Sequence, residues 1–99
     1  MDKTFGGSYS DMANSIIQTT DGKYMVAGYT YSKGAGGDDF WVIKLDENGN
    51  KIWDRTFGGD NWDIAKSIIQ TTDGGYAVVG CTKSKGEGGW DCWVIKFKE

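Results

Sequence analysis

The sequence predicts an all-β protein in which one structural unit occurs twice. Pairing residues 4–47 with residues 56–99, a shift of 52 positions, gives 29 identical residues among 44. Internal repeats of this kind indicate solenoids, propellers or arrays. Sixteen Gly, no Pro and 14% aromatic residues favour short strands joined by tight turns. The apolar residues fall in short runs and not at a helical period, which also favours strands.

Each copy is predicted to fold as an antiparallel meander of four strands, a to d. The octapeptide SIIQTTDG, identical at 15–22 and 67–74, joins strand a to an Asp-Gly hairpin signal, because Asp and Gly tolerate positive φ. Asn48-Gly49 is a second hairpin signal, between strands c and d. The predicted strands are a (15–20 and 67–72), b (24–32 and 76–84), c (39–45 and 91–97) and, in the first copy, d (51–57).

Strand c is apolar on both of its faces. Phe40 and Val42 point to one side, while Trp41, Ile43 and Leu45 point to the other. A two-sheet sandwich would leave one apolar face of each sheet exposed, whereas radially stacked blades cover both faces. The sequence therefore predicts a β-propeller with two four-stranded antiparallel blades per chain, and the sandwich is the alternative.

The repeat pattern resembles that of a known group of proteins. The pattern (F/W)-W-V-I-K-L-D-x-N-G-x-K-I-W-x-(R/K)-T-F-G-G, followed by S-I-I-Q-T-T-D-G-G-Y-x-V-x-G, is similar to tandem β-propeller repeats of bacteria and archaea. The resemblance covers nearly the whole chain and implies a secreted or cell-surface recognition platform. It implies no particular activity. A member of that group is expected to carry enough repeats for a ring, whereas this chain carries two.

The two ends of the chain predict assembly from several copies. The second copy stops after strand c, while residues 1–5 match the second half of a strand d. We therefore expect residues 1–7 to complete a blade of a neighbouring chain, with 8–59 as the first blade repeat and 60–99 as a second repeat that lacks its own outer strand. The alternative is that residues 1–5 are a frayed end. The residues expected to close the oligomer are Asp2, Lys3, Thr4, Phe5, Trp93, Ile95 and Phe97.

Such a head-to-tail link is expected to close into a cyclic homo-oligomer. Propellers have roughly four to eight blades, so three chains would supply six blades and four chains would supply eight. The trimer is preferred. The protein's expected partner is therefore itself.

Loops d–a and b–c lie on one side of the predicted ring and carry the candidate ligand-binding residues. An exposed Trp beside an Asp suits a sugar, because the ring stacks on it and the carboxylate accepts hydrogen bonds from its hydroxyls. In the structural alternative, the aspartates cap loop amides and the tryptophans pack between blades. Recurrence of Asp11 as Asp63 favours that alternative. The candidates are Tyr9, Asp11, Asp38, Trp62, Asp63 and Trp90.

The composition argues against an enzyme and against bound metal or cofactor. His is absent, which removes the commonest general base and transition-metal ligand. The segment 46–50 offers oxygen ligands as a calcium loop does, but the later bidentate Glu is missing and a turn explains it. A hydrolase or lyase that uses Asp11 and Asp63 is the remaining catalytic hypothesis, and no Ser triad or metal cluster supports it.

Charge and hydropathy also exclude several partners. A net charge of −3 with eleven scattered basic residues is unsuited to a nucleic-acid surface or a polybasic membrane patch. No apolar stretch is long enough for a transmembrane helix. Residues 1–5 do not have the pattern of a signal peptide, so the sequence leaves the location undetermined.

Cys81 and Cys92 stand where the first copy has Tyr29 and Phe40, which should face each other across the b–c hairpin. A cross-strand disulfide is geometrically feasible if the Cα atoms lie about 4.4–6.8 Å apart. Two buried thiols, which fill less volume than the aromatic pair, are the favoured alternative. Neither form is catalytic, because no neighbouring base would activate a thiolate.

The leading hypothesis is therefore a non-enzymatic two-blade unit, whether natural, excised or designed, that self-assembles into a complete propeller. It would act as a structural or interaction scaffold. The alternative is a lectin-like propeller that binds glycan on the face formed by loops d–a and b–c.

Overall fold

The computed structural model describes residue 4 and residues 11–31, 39–58, 62–83 and 89–98. These residues form an all-β fold, and none of them is helical. It follows that no helix capable of crossing a membrane lies within these ranges. The strands are β1 (Asp11–Gln18), β2 (Tyr24–Thr30), β3 (Asp39–Leu45), β4 (Lys51–Phe57), β5 (Asp63–Gln70), β6 (Tyr76–Thr82) and β7 (Asp91–Phe97).

The strands form two antiparallel sheets that follow chain order. The first sheet is β1-β2-β3-β4 and the second is β5-β6-β7. The second sheet repeats the first strand for strand, including a register shift between Ala65 and Ser67 that matches the one between Ala13 and Ser15. Within the described residues, only the fourth strand has no counterpart in the second sheet. The predicted repeat of strand and hairpin units is confirmed.

The strand boundaries agree with the prediction in strands c and d and differ in strands a and b. The bounds of strand c in both copies and of strand d agree with the prediction, while strand b ends two residues early, at Thr30 and Thr82. Strand a was predicted over 15–20 but spans Asp11–Gln18, because its ladder with β2 continues past the bulge to the pair Asp11↔Thr30. Asp11 and Asp63 therefore begin strands and do not lie in loops.

The hairpins predicted at Asp21-Gly22 and Asn48-Gly49 exist, and each turn is closed by backbone hydrogen bonds. Thr19 N donates to Lys23 O at 2.8 Å and Gly22 N donates to Thr19 O at 3.0 Å, so three residues lie between the paired positions. Only the glycine has positive φ, 83° at Gly22 and 88° at Gly49, and no described residue other than glycine does. Asp21 therefore does not use the positive φ that its residue type tolerates. Its carboxylate instead accepts hydrogen bonds from the Thr19 hydroxyl and from Lys23 N.

Each sheet has two distinct faces, which we call face 1 and face 2. Face 1 of the first sheet includes Met25, Ala27, Phe40 and Val42, and it packs on face 2 of the second sheet. The side chains of face 2 of the second sheet are Ala65, Ile68, Tyr76 and Val78, with Trp93, Ile95 and Phe97 partly buried beside them. This interface between the sheets is the main core.

The remaining two faces point away from that core. Face 2 of the first sheet holds a second buried cluster of Trp41, Ile43 and Leu45, against which Tyr24 and Val26 pack. The indole Nε1 of Trp41 donates to Asp54 Oδ2 at 2.8 Å, which satisfies the ring's polar group. Face 1 of the second sheet, with Ile69, Val79 and Val94, is exposed.

Candidate functional site

Face 1 of the second sheet is an exposed apolar surface. Ile69 is 57% exposed, Val79 is 36% exposed and Val94 is 63% exposed. Their counterparts in the first sheet lie in the core: Ala27 and Val42 are fully buried, and Ile17 packs against them. Monomeric proteins rarely leave a contiguous apolar surface uncovered unless it takes part in an interaction. This face is the first candidate site.

The two cysteines lie on this exposed face. Cys81 and Cys92 are Cα partners across β6 and β7, as the aromatic pair Tyr29 and Phe40 are across β2 and β3. Both are free thiols in the structure. The prediction of buried thiols was wrong, since Cys92 is exposed and Cys81 is half-buried. The reason is that nothing in the described chain packs on this face as the second sheet packs on Phe40.

The edge of the second sheet is the next feature of interest. Among the described residues β7 pairs with β6 only, whereas its counterpart β3 pairs with strands on both sides. Phe97 packs inward on Trp53, Phe57 and Tyr76, with ring centroids 6.3, 5.5 and 5.6 Å apart. Trp93 likewise lies 4.9 Å from Phe40, ring centroid to ring centroid, and Ile95 packs on the same core. The side chains of β7 on face 2 thus pack in the core, and its backbone forms the edge of the second sheet among the described residues.

Of the N-terminal residues expected to pair with that edge, the structure describes only Thr4. Asp2, Lys3 and Phe5 lie outside the described residues, and Thr4 is exposed and belongs to no strand. Tyr9 and Asp38, which were candidates for ligand binding, also lie outside the described residues.

The repeated aspartates form the same hydrogen bond in both sheets. The hydroxyl of Thr30 donates to Asp11, and the hydroxyl of Thr82 donates to Asp63, in each case across the first two strands of the sheet. Asp63 is fully buried, and Asp11 is half-buried. The bond recurs in both repeats, as a structural role would require, but its donor is a threonine hydroxyl on the neighbouring strand, whereas the structural alternative expected caps on loop amides.

Gly58 joins the two sheets beside these aspartates. A Cβ at this position would lie 2.3 Å from Asp39 Oδ1 and 2.5 Å from Asp63 Oδ2, so only glycine fits. Asp39 belongs to the first sheet and Asp63 to the second, and Asp39 is 1% exposed. This junction therefore holds two carboxyl groups from different sheets around one backbone position.

Trp62 and Trp90 form an aromatic pair at one end of the second sheet. Their ring centroids are 6.4 Å apart with an angle of 30° between the planes, and the side chains are 48% and 44% exposed. The ammonium of Lys83 lies 5.7 Å from the centroid of Trp62 and 5.3 Å from that of Trp90, which is within cation–π range. We call Trp62, Lys83 and Trp90 the Trp–Lys cluster. It is the second candidate site.

Lys83 was not among the residues that the sequence pattern singled out. Lys83 directly follows β6, and Trp62 and Trp90 directly precede β5 and β7. Because neighbouring antiparallel strands bring these ends together, the strand boundaries would have been the signal for the cluster.

The turns at the opposite end of the sheets keep their carboxylates ionised. The hydroxyl of Thr19 is the main cause that lowers the pKa of Asp21 to about 2, with Lys23 contributing. A hydrogen bond from Lys96 at 2.9 Å, followed by the Thr71 hydroxyl, holds the pKa of Asp73 well below its ordinary value. Chiefly the backbone amide of Asn50 lowers the pKa of Asp46. These carboxylates act as turn caps.

The segment 46–50, which was considered as a calcium loop, is also a turn capped by its own carboxylate. Asp46 Oδ1 accepts hydrogen bonds from the amides of Asn48 and Asn50, at 2.9 and 2.8 Å, so its lone pairs face the turn's own backbone. In the described ranges no group of three or more His, Cys, Asp or Glu residues is placed to hold a metal ion.

Comparison with known proteins adds no assignment to this description. No protein-family model matches the chain, and no curated protein matches it. The resemblance to propeller repeats therefore rests on the repeat pattern, and the function has to be argued from the two candidate sites.

Proposed function

We propose that this protein is a non-enzymatic module that self-assembles head to tail, through its sheet faces, into a closed β-propeller. One observation carries the proposal. Face 1 of the second sheet is exposed, although Ala27, Phe40 and Val42 on the equivalent face of the first sheet are fully buried. The two faces occupy equivalent positions in the repeat, but several of their side chains differ, among them Met25 and Ala77, Ala27 and Val79, and Phe40 and Cys92.

The repeat identifies what would cover the exposed face. Face 1 of the first sheet is covered by face 2 of a second sheet, with Trp93 and Ile95 contributing to the contact. The residues equivalent to these in the first sheet are Trp41 and Ile43, on its own face 2. Face 2 of the first sheet in a second copy is therefore the surface expected to fit face 1 of the second sheet.

Face 2 of the first sheet is exposed at Ile16, while Trp41 and Ile43 on the same face are only 5% and 4% exposed in the single chain, so a neighbour would dock around Ile16. Ile16 is 59% exposed there, although its counterpart Ile68 in the core is only 1% exposed. Beside it a cavity of about 150 Å³ is lined by Val26, Trp41 and Ile43, among others. An exposed isoleucine next to an apolar cavity is the kind of surface that loses unfavourable hydration when a partner covers it.

A head-to-tail contact leads to a ring, whereas a two-fold contact would stop at a dimer. Each copy uses one face to bind and offers another, so the chain of contacts ends only when a ring closes. The backbone edge of β7, which among the described residues pairs with β6 only, would pair in the ring with the strand segment at residues 1–5 of a neighbour. Three chains with six blades remain the preferred ring, and four chains with eight blades are the alternative.

Solution mass tests the assembly directly. Light scattering at micromolar concentration should give three or four times the chain mass of 10.9 kDa. A particle of 10.9 kDa would overturn the proposal. Deleting residues 1–5 tests the strand contribution separately, because loss of the discrete mass is expected and an unchanged mass would refute the strand exchange.

A second candidate function is lectin-like binding of glycan at the Trp–Lys cluster. The supporting observation is the pair of exposed tryptophan rings, 6.4 Å apart, at one end of the second sheet. Aromatic faces stack on the C–H faces of sugar rings, and exposed indoles are suited to that contact. Measuring binding of oligosaccharides before and after Trp62→Ala tests it, and an unchanged affinity would rule it out.

A further inference from the structure

We infer that the Trp–Lys cluster is a binding site for acidic sugars, with one site in each chain. The inference names a ligand class for the glycan-binding candidate and rests on it, while it is independent of the proposed assembly. It follows from the position of the three residues, from their chemistry, and from a comparison of the two repeats.

The three residues of the cluster are held by the ends of three adjacent strands. Lys83 N donates to Trp62 O at 2.7 Å, which extends the β5–β6 ladder by one pair beyond Asp63↔Thr82. Trp90 directly precedes Asp91, the β7 partner of Thr82. The site is therefore built on sheet ends, which position side chains more accurately than free loops do.

The two rings and the ammonium provide complementary contacts for one kind of ligand. The indole faces offer an apolar surface for the C–H groups of a pyranose. The Lys83 ammonium, within 5.7 Å of both ring centroids, can donate charge-assisted hydrogen bonds to a carboxylate on the same sugar. A cationic ligand is disfavoured, because Lys83 already occupies the position from which a cation interacts with both rings.

The overall charge of the protein does not oppose this assignment at short range. The chain carries a net charge of −3, which would repel an anion at a distance. Charges further away than about 8 Å are largely screened at physiological ionic strength. The contact between Lys83 and a bound carboxylate is shorter than that, so the local cation dominates.

Comparison of the repeats separates this cluster from the shared framework. Of the 44 paired positions 29 are identical, so 15 differ, and all three residues of the cluster are among those 15. The first repeat has Ser10, Tyr31 and Asp38 at the equivalent positions. It therefore lacks both indoles and the cation, in contrast to the Asp–Thr pairs, which recur unchanged. Each chain has one such site, and a ring would present several together, which raises the affinity for a polymer.

The test compares a uronic-acid oligosaccharide with a neutral oligosaccharide of the same length by titration calorimetry. The uronate should bind roughly tenfold more tightly, as expected for one added hydrogen bond to a charged group. Lys83→Gln should remove this preference and leave the weaker neutral binding, while Trp62→Ala and Trp90→Ala should abolish both. Tyr31→Gln, at the equivalent exposed position of the first repeat, is the matched control and should change neither.

The outcomes distinguish the three claims. If Lys83→Gln leaves the uronate preference unchanged, the acidic-sugar assignment is wrong although glycan binding stands. If neither oligosaccharide binds the wild-type protein, both ligand claims are overturned. Light scattering on the same samples reports the assembly, so a loss of binding caused by a loss of the ring is recognised as such.

Discussion

Val94 is 63% exposed, whereas Val42, which occupies the same position in the first repeat, is fully buried. The two residues lie on equivalent strands, in the same register, between identical neighbours Trp and Ile. Their surroundings differ because the second sheet covers Val42 and no described part of the chain covers Val94 in the same way. This difference is the basis of the proposed assembly and of the first two predictions.

Two charged variants should block opposite faces of the contact. Val94→Asp places a carboxylate on face 1 of the second sheet, and Ile16→Asp places one on face 2 of the first sheet. Each variant alone should be monomeric by light scattering, because burying an unpaired charge costs far more than an apolar contact contributes. An equimolar mixture should form a particle of two chains, through the one pair of intact faces that remains.

The mixture also tests the direction of the contact. If copies associated by face 1 against face 1, Ile16→Asp alone would still form dimers and mixing would change nothing. Val94→Ile, which keeps the surface apolar, is the control and should retain the wild-type mass. A full-size ring formed by Val94→Asp would contradict the proposal.

Replacing an exposed cysteine by the aromatic residue of the other repeat should strengthen assembly. Phe40 packs against Trp93 at 4.9 Å between ring centroids, and its counterpart Cys92 has no ring to offer the neighbour's Trp41. Cys92→Phe should therefore lower the concentration at which the assembly dissociates by roughly two- to tenfold, the equivalent of about 0.5–1.5 kcal/mol per aromatic pair. Light scattering over a dilution series measures this concentration.

The same series needs a control for loss of the thiol. Cys92→Ser removes the sulfur without adding a ring and should not strengthen the assembly. If Cys92→Phe has no effect, Trp41 of the neighbour does not meet this position and the proposed pairing of faces is wrong.

Gly58 should tolerate no side chain. A Cβ would lie 2.3 Å from Asp39 Oδ1 and 2.5 Å from Asp63 Oδ2, so Gly58→Ala must displace one of two buried carboxyl groups. We expect the free energy of unfolding to fall by roughly 1–3 kcal/mol, as for other overpacked sites. Urea denaturation measures this change. Glu47→Ala, at an exposed turn position, should change stability by less than about 0.5 kcal/mol.

The two Asp–Thr pairs should contribute unequally to stability. Thr82→Val keeps the side-chain shape but removes the hydroxyl that donates to the fully buried Asp63, which should cost about 1–3 kcal/mol. Thr30→Val makes the same change beside Asp11, which is half-buried and can be reached by water, so the loss should be smaller. Equal losses in urea denaturation would contradict the role assigned to burial.

Acidic conditions should destabilise the hairpin turns. The pKa of Asp21 is lowered to about 2 in the folded protein from an ordinary value of 3.8, chiefly by the hydroxyl of Thr19. A depressed pKa means that the ionised carboxylate favours folding, so its contribution is present above about pH 4 and is lost as the pH falls toward 2. The pKa of Asp73 is lowered in the same direction, by Lys96 first.

Thermal unfolding at pH 7 and pH 3 measures this effect. The wild-type midpoint should fall between the two pH values, and Asp21→Asn should reduce the fall because it removes one titrating group. Asp73→Asn should act similarly. If the pH dependence of both variants equals that of the wild type, these carboxylates do not contribute to acid sensitivity.

Much of the fold could be predicted because the same pattern of strands and turns occurs in both repeats. The bounds of strand c, the pairing of Tyr29 with Phe40 and the pairing of Cys81 with Cys92 all follow from local patterns. The first four residues of β1 could not be predicted, because the bulge between Ala13 and Ser15 breaks the alternation that marks a strand. The turn type could not be predicted either, because Asp-Gly occurs in hairpin loops of two and of three residues.

The candidate sites were predictable only in part. Trp62 and Trp90 could be recognised as large aromatic residues in predicted loops. Lys83 could not be singled out in the same way, because lysine is common on protein surfaces. Its position opposite Trp62 and beside Trp90 depends on three strand ends, because the three residues are 7, 21 and 28 positions apart in the chain. The register of the sheet brings them together.

The sequence by itself determined that this protein is all-β, that it consists of two like units, and that both faces of each unit are apolar. These properties depend on alternation and turn residues, which are local. Only the tertiary structure decided which of the like faces is covered, where the thiols lie and which side chains meet at the Trp–Lys cluster. Burial depends on what packs against a residue, and two identical stretches of chain acquire different neighbours by their order in the fold.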